Sequence, residues 1–221
     1  IADVESRIEL DDVERGKPAR VGHHFHAKLR LAVGRPARNR RADAGRDVGI
    51  EKIDVEADVD VRVVIDAVQS SINSAGQRCS ALRVLCVQED IAPKVKRLLA
   101  GYMNELVIGD PALLATDVGP VIDIAARDIL ERHSKTIVQG AAWHHRCDLG
   151  PATRAGTFVA PLAVQIDSIG VLEREVFGPI LHLLQYRARD LEGLVDSING
   201  TGYGLTFGIH SRIDSTVRRV T

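Results

Sequence analysis

The chain has little of several things, and each shortage excludes something. Its 221 residues contain three cysteines, Cys79, Cys86 and Cys147. That set is odd-numbered and sparse, unlike the disulfide framework of a small secreted domain, so a reducing cytoplasm is the expected setting. No apolar run approaches the roughly 20 residues needed to cross a bilayer, and no basic segment followed by an apolar stretch opens the chain. Neither sign of charge is in excess: Lys plus Arg total 29 and Asp plus Glu 30, leaving no global electrostatic attraction to nucleic acid or an anionic membrane. With 45% apolar and 27% charged residues the composition is that of a soluble globular protein. The first residue is Ile rather than Met, and the chain is expected to be a fragment.

What is present changes character near residue 63. From there onward, helical and strand signals alternate. Val64, Val68 and Ile72 recur at helical spacing before Ser74-Ala75-Gly76, where glycine can end the helix in a turn. Leu82 to Val87 is almost wholly apolar, as expected of a strand buried on both faces. Asp90 is the expected N-cap of a helix with Ile91, Val95, Leu98, Leu99, Tyr102, Met103 and Leu106 on one stripe, ended by Gly109-Asp110-Pro111. Asp123 starts another helix running through Ile129 toward Val138. Phe158 to Ile166 and Pro179 to Tyr186 read as strands, and Asp190 opens a helix carrying Leu191, Leu194, Val195 and Ile198. The glycine-marked stretch from Thr201 to Gly204 turns into a strand from Leu205 to His210. This order predicts an α/β fold with a largely parallel sheet and flanking helices.

Residues 1–62 are left without an assigned element. Ile53 to Val61 alternates apolar and acidic residues, the pattern of an amphipathic strand, and Arg35 to Arg46 is rich in Arg, Ala and Gly without periodicity. That basic run has no interleaved aromatics, so a solvated segment is favoured over a nucleic-acid contact. Gln139 to Ala155, with Trp143-His-His-Arg-Cys147 inside it, reads as an interruption. His23, His24, His26, His144, His145 and Cys147 fit no closed zinc spacing, and no metal is expected.

Three residues after Gly76 stands Cys79, flanked by Arg78. A thiol at such a turn can be an accessible thiolate in a partly electropositive setting, and backbone N–H groups after the turn can stabilise an oxyanion. By itself this pattern describes an inert buried cysteine at least as well, which is the reading given to Cys86 inside its apolar run.

Ser74-Ala-Gly-Gln-Arg-Cys-Ser-Ala81 resembles the catalytic cysteine motif of the aldehyde dehydrogenase superfamily. Asp117-Val-Gly-Pro-Val-Ile-Asp123, Gly156-Thr-Phe-Val-Ala-Pro161, Glu175-Val-Phe-Gly-Pro179, Asn199-Gly-Thr-Gly-Tyr-Gly-Leu205 and Gly208-Ile-His-Ser-Arg-Ile-Asp214 follow in the family's order. They most resemble the pyrroline-5-carboxylate dehydrogenase half of bifunctional proline utilization A. The resemblance spans about residues 63–221 and implies a partial catalytic domain, incomplete at both ends. It implies Cys79 as nucleophile toward an aldehyde, with NAD as cofactor. Glu175 would hold the nicotinamide ribose hydroxyls, Phe177 would lie against the nicotinamide ring, and Ser80 would touch substrate. The implied substrate is glutamate γ-semialdehyde, oxidised to glutamate in proline breakdown by an enzyme expected to be a homo-oligomer.

Other family parts are not recognisable. The general base belongs to a Glu-Thr-Gly-Gly or Glu-Leu-Gly-Gly stretch upstream of the cysteine, where this chain has Ala44-Gly-Arg-Asp-Val-Gly49. Glu51 and Glu56 stand in the wrong context, and the oxyanion-hole Asn and main dinucleotide-binding segments are not found in residues 1–62. Codons for Leu-Glu-Thr-Gly-Gly-Gln, read two bases later, can give Arg38-Asn-Arg-Arg-Ala42, so a shifted frame is one explanation of residues 1–62 and a disordered segment the other. The alternative readings are a catalytically inactive fragment of such an enzyme and a cysteine-dependent acyltransferase.

Overall fold

A computed structural model describes residues 28–32 (backbone only), 59–202 and 205–220. Its elements are β1 (Lys28–Ala32), α1 (Val61–Ile72), β2 (Leu82–Gln88), α2 (Ala92–Asn104), α3 (Ile124–Ile137), β3 (His144–Arg146), β4 (Leu162–Ile166), β5 (Ile180–Tyr186), α4 (Leu191–Asn199), β6 (Thr206–His210) and α5 (Asp214–Val220). The strands form one sheet in the order β3-β4-β5-β2-β1-β6, parallel throughout except where β3 pairs antiparallel with β4.

Burial explains why these runs are strands. Every residue of β2 is buried, and only Gln185 of β5 is not. Successive side chains of a strand point to opposite faces, and here alternate residues feed two cores. Leu85, Val87, Leu181 and Leu183 join the cluster under α1 and α2, while Val84, Cys86, Leu184 and Tyr186 join the one under α4. An alternating polar pattern could not have filled both.

The helices carry the expected stripes. In α1, Val64, Ala67, Val68, Ser71 and Ile72 are buried, and the Asp60 carboxylate caps the start by accepting the Arg62 N–H at 3.0 Å. Asp123 caps α3 through the Ala126 N–H at 2.7 Å.

Several boundaries differ from the sequence reading. The Asp90 carboxylate accepts from Gln88 Nε2 at 2.8 Å and does not cap α2, which starts behind Ile91 with Pro93 in its first turn. That helix ends at Asn104, ahead of Gly109, because Asp117 clamps Val107: its carboxylate and carbonyl-facing amide bond the Val107 N–H and C=O, each at 2.8 Å. Strand β4 begins at Leu162, so Phe158 to Pro161 is irregular. Val61, the last residue of the alternating stretch, is helical, and Ile53 to Asp58 lies outside the described residues. Strand β1 falls in the region left unassigned. Gln139 to Ala155 does not interrupt the domain: it supplies β3, and Cys147 packs into the core beyond it, its amide donating to the Pro161 carbonyl at 2.9 Å.

Parallel pairing matters most for function. Val84 of β2 lies beside His182 of β5, so the segments entering these two strands run side by side at the sheet's amino-terminal edge. One of those segments carries Cys79 and the other Glu175 and Phe177.

Candidate active site

The cysteine segment begins with a tight left-handed turn. Ser74 (φ 57°), Ala75 (φ 51°) and Gly76 (φ 65°) are consecutive residues in a region that costs an L-residue about 1–2 kcal/mol. Strain of this kind persists only where the surroundings over-determine it. Here the constraint is contact with the second segment. A Cβ on Gly76 would lie 2.0 Å from the Gly178 carbonyl oxygen, and one on Gly178 would meet Leu130 of α3 at 2.4 Å. The two backbones therefore touch, which a glycine at either position alone would not reveal.

Arg83, at the second position of β2, ties the segments together. It is 3% exposed. Its Nε donates to Glu175 Oε1 at 3.1 Å, Nη1 to the carbonyls of Gly76 at 2.7 Å and Gly178 at 3.3 Å, and Nη2 to that of Arg78 at 3.1 Å. The guanidinium carbon sits 4.9 Å from the centroid of the Phe177 ring, a cation–π distance. Burial pushes the Arg83 pKa down, and the Glu175 carboxylate opposes this most strongly.

Of the three thiols, Cys79 is exposed and the other two are buried. Burial pushes Cys86 up to about 12 and Cys147 to about 11, and the Cys147 thiol donates to the Met103 carbonyl at 3.2 Å. Cys86 is buried, as its apolar run predicts. Arg78 is exposed and aims its Nη2 at the Gln69 carbonyl, 3.5 Å away, so the buried cation of this turn is Arg83 instead, bonded to the Arg78 carbonyl that precedes Cys79. Ser80 is half-buried. The Ala81 N–H donates to the Arg78 carbonyl at 3.0 Å, which removes it from the donors the turn can offer an oxyanion.

Glu175 is no solvated surface acid: its side chain is 13% exposed and paired. Phe177 is 44% exposed and presents an apolar ring beside it. Two other motifs reach this segment. Gln77 accepts the Ile122 N–H through Oε1 at 2.8 Å, and Val121 in turn exchanges hydrogen bonds with Thr157. The stretch from Asn199 ends α4, with Tyr203 and Gly204 outside the described residues.

Behind Arg83 lies a second polar group. His182 of β5 is fully buried, with Nδ1 3.0 Å from the Arg83 carbonyl oxygen and Nε2 3.0 Å from His133 Nε2. A carbonyl only accepts, so His182 Nδ1 carries the proton and its Nε2 accepts from His133. Burial and the His133 charge depress His182 to about 3, and burial, then Arg174, lowers His133.

Sequence reasoning missed Arg83 and His182. The available signal was a basic residue inside each of two largely apolar runs. Among the residues weighed and set aside as metal ligands, His145 Nε2 bonds Asn104 Oδ1 at 2.9 Å and Cys147 is in the core; among the described residues no group of three His, Cys, Asp or Glu gathers. His23, His24, His26, Glu51 and Glu56 lie outside the described residues.

Residues 49–221 match the aldehyde dehydrogenase family. A bifunctional PutA protein of Klebsiella aerogenes is 46% identical over 167 residues, which are 72% of this chain and 13% of that protein. A crystal structure of bifunctional proline utilization A superposes with a TM-score of 0.72 at 38% identity, covering 88% of this chain and 17% of that one. Betaine aldehyde dehydrogenase of Staphylococcus aureus, solved in complex with NAD+, has a TM-score of 0.68 at 19% identity over 89% of this chain and 35% of its own, a likeness of fold. The chain thus spans a small part of the relatives it matches.

Proposed function

The chain belongs to the aldehyde dehydrogenase family, and on that premise we propose that residues 63–221 form the nucleophile-bearing part of a catalytic domain that oxidises glutamate γ-semialdehyde to glutamate with NAD. The observation that carries this reading is the shared Arg83 anchor between the exposed Cys79 turn and the Glu175-to-Gly178 segment. The PutA relatives support the substrate.

Cys79 is the nucleophile. Its thiolate adds to the aldehyde carbon, forming a C–S bond and pushing the carbonyl electrons onto oxygen. NAD, when bound, supplies the hydride acceptor through which that adduct becomes a thioester. Water then attacks the thioester, releasing the carboxylate and returning the Cys79 thiol. The residues present fit the cofactor's nicotinamide riboside. Glu175 accepts one hydrogen bond from Arg83 and keeps acceptor capacity for ribose hydroxyls, while Phe177 offers an exposed flat face. Ser80, half-buried beside the thiol, contacts substrate. The setting is cytoplasmic, and the assembled enzyme a homo-oligomer.

A second reading, an inactive fragment, is favoured by one sequence fact: residues 1–62 contain no Glu-Thr-Gly-Gly or Glu-Leu-Gly-Gly stretch to supply the base for the deacylating water. On this reading, NADH absorbance stays flat when the chain meets NAD and the semialdehyde. Formation of NADH by the wild type, abolished in Cys79→Ala, supports the dehydrogenase. NADH formation that survives in Cys79→Ala removes the proposed nucleophile.

A further inference from the structure

We propose that Arg83 is the positioning residue of this site, the group that holds the nucleophile turn and the Glu175 segment in one fixed relation and gives the thiol its local positive charge. The proposal rests on the dehydrogenase reading for the role of Glu175, but the geometry stands apart from it.

Three observations carry it. First, every nitrogen of the guanidinium is used, and its partners come from both segments: Glu175 and Gly178 lie 92 and 95 residues along the chain from Arg83, and Gly76 and Arg78 bracket the approach to Cys79. Secondly, the Gly76–Gly178 contact leaves no room for a side chain, and both glycine carbonyls accept from the same Nη1. Two carbonyl oxygens aimed at one place repel unless a donor stands between them, so this close approach depends on the cation. Thirdly, Phe177 packs over the guanidinium, which links the exposed ring to the same anchor.

Lysine cannot substitute fully. An ammonium is a single point donor, whereas these acceptors are arranged around the planar fork of a guanidinium. Lysine does preserve the charge, and that separates Arg83's two roles. Glu175 meets that charge at Nε, while Nη2 faces the carbonyl of Arg78, the residue before Cys79; removing the cation leaves a buried anion, and removing the anion leaves a buried cation.

The test measures the rates at which Cys79 of the full chain is alkylated by anionic iodoacetate and by neutral iodoacetamide, with peptide mass spectrometry separating Cys79 from Cys86 and Cys147. Loosening a turn speeds both reagents alike, so their ratio reports charge and is untouched by a purely structural role. Arg83→Met is expected to lower the iodoacetate-to-iodoacetamide ratio by about threefold to tenfold. Arg83→Lys is expected to restore the ratio while raising both rates, and Glu175→Gln to raise the ratio. An unchanged ratio in folded Arg83→Met overturns the proposal. If that variant does not fold, Glu175→Gln decides, since it keeps the guanidinium and its three carbonyl partners; a ratio that fails to rise overturns the proposal equally. Labelling needs neither NAD nor aldehyde, so absence of NADH formation sinks the dehydrogenase reading without touching Arg83.

Discussion

Neighbouring strands β2 and β5 each bury one basic side chain, and the two are handled in opposite ways. Arg83 stays charged because Glu175 and three carbonyls replace the water it loses. His182 is fully buried and faces His133, whose own neighbour is Arg174, and the Arg83 charge also acts on it, so it is kept neutral. A permanently charged group can be buried only with its partners supplied, whereas a titratable one escapes the same cost by giving up its proton. The charged centre therefore serves where charge is needed, beside an exposed thiol. The neutral centre serves as a hydrogen-bonded spacer between the sheet and α3.

The two centres should fail differently. Arg83→Met leaves Glu175 buried without its cation and is expected to lower unfolding free energy by about 3–5 kcal/mol in urea titrations. A deficit near zero would mean that Glu175 does not depend on the guanidinium. The neutral centre should fail with acid. Since the folded state holds His182 down at about 3 against 6.5 for the free side chain, the unfolded state takes up a proton that the folded state refuses as pH falls below 6.5. Stability contributed by this group is complete above that pH and is lost progressively toward pH 3, on the order of 4 kcal/mol in total. The lowered His133 adds in the same direction. His182→Leu should show a visibly shallower loss than wild type across that window, by thermal melts at stepped pH. Equal slopes would remove His182 as the cause. The smallest effect concerns strain at the charged centre: exposed Ser74 sits at φ 57°, and Ser74→Gly should gain about 1 kcal/mol. A loss instead would show that the Ser74 side chain, rather than the neighbouring contact, holds the turn.

Much of this architecture could be read from local pattern. The run from Leu82 to Val87 declares a doubly buried strand because no residue but Arg83 interrupts it, and α3 is bounded by a cap that the structure reproduces at Asp123. Elements whose ends depend on distant groups were less legible. Helix α2 stops at Asn104 because Asp117 captures Val107, thirteen positions beyond the helix, and nothing in residues 99–111 alone encodes that. Strand β3 carries His144, His145 and Arg146 at an edge where only one neighbour has to be satisfied, so its composition is scarcely strand-like.

The site divides in the same way. Cys79, Ser80, Glu175 and Phe177 were identifiable as candidates from the motifs around them, since a motif is a local string. Arg83 was not, although it stands four residues from the cysteine, because its significance lies in Glu175 and Gly178. The sequence by itself determined the alternation of strands and helices, the turn at the cysteine and the family to which the chain belongs. Only the tertiary structure decided that β2 and β5 lie side by side, and with that pairing which buried charge meets which carboxylate. The reason is physical: periodicity and turn chemistry act over a few residues, whereas pairing a buried cation requires partners that parallel strand order alone brings within 3 Å or so.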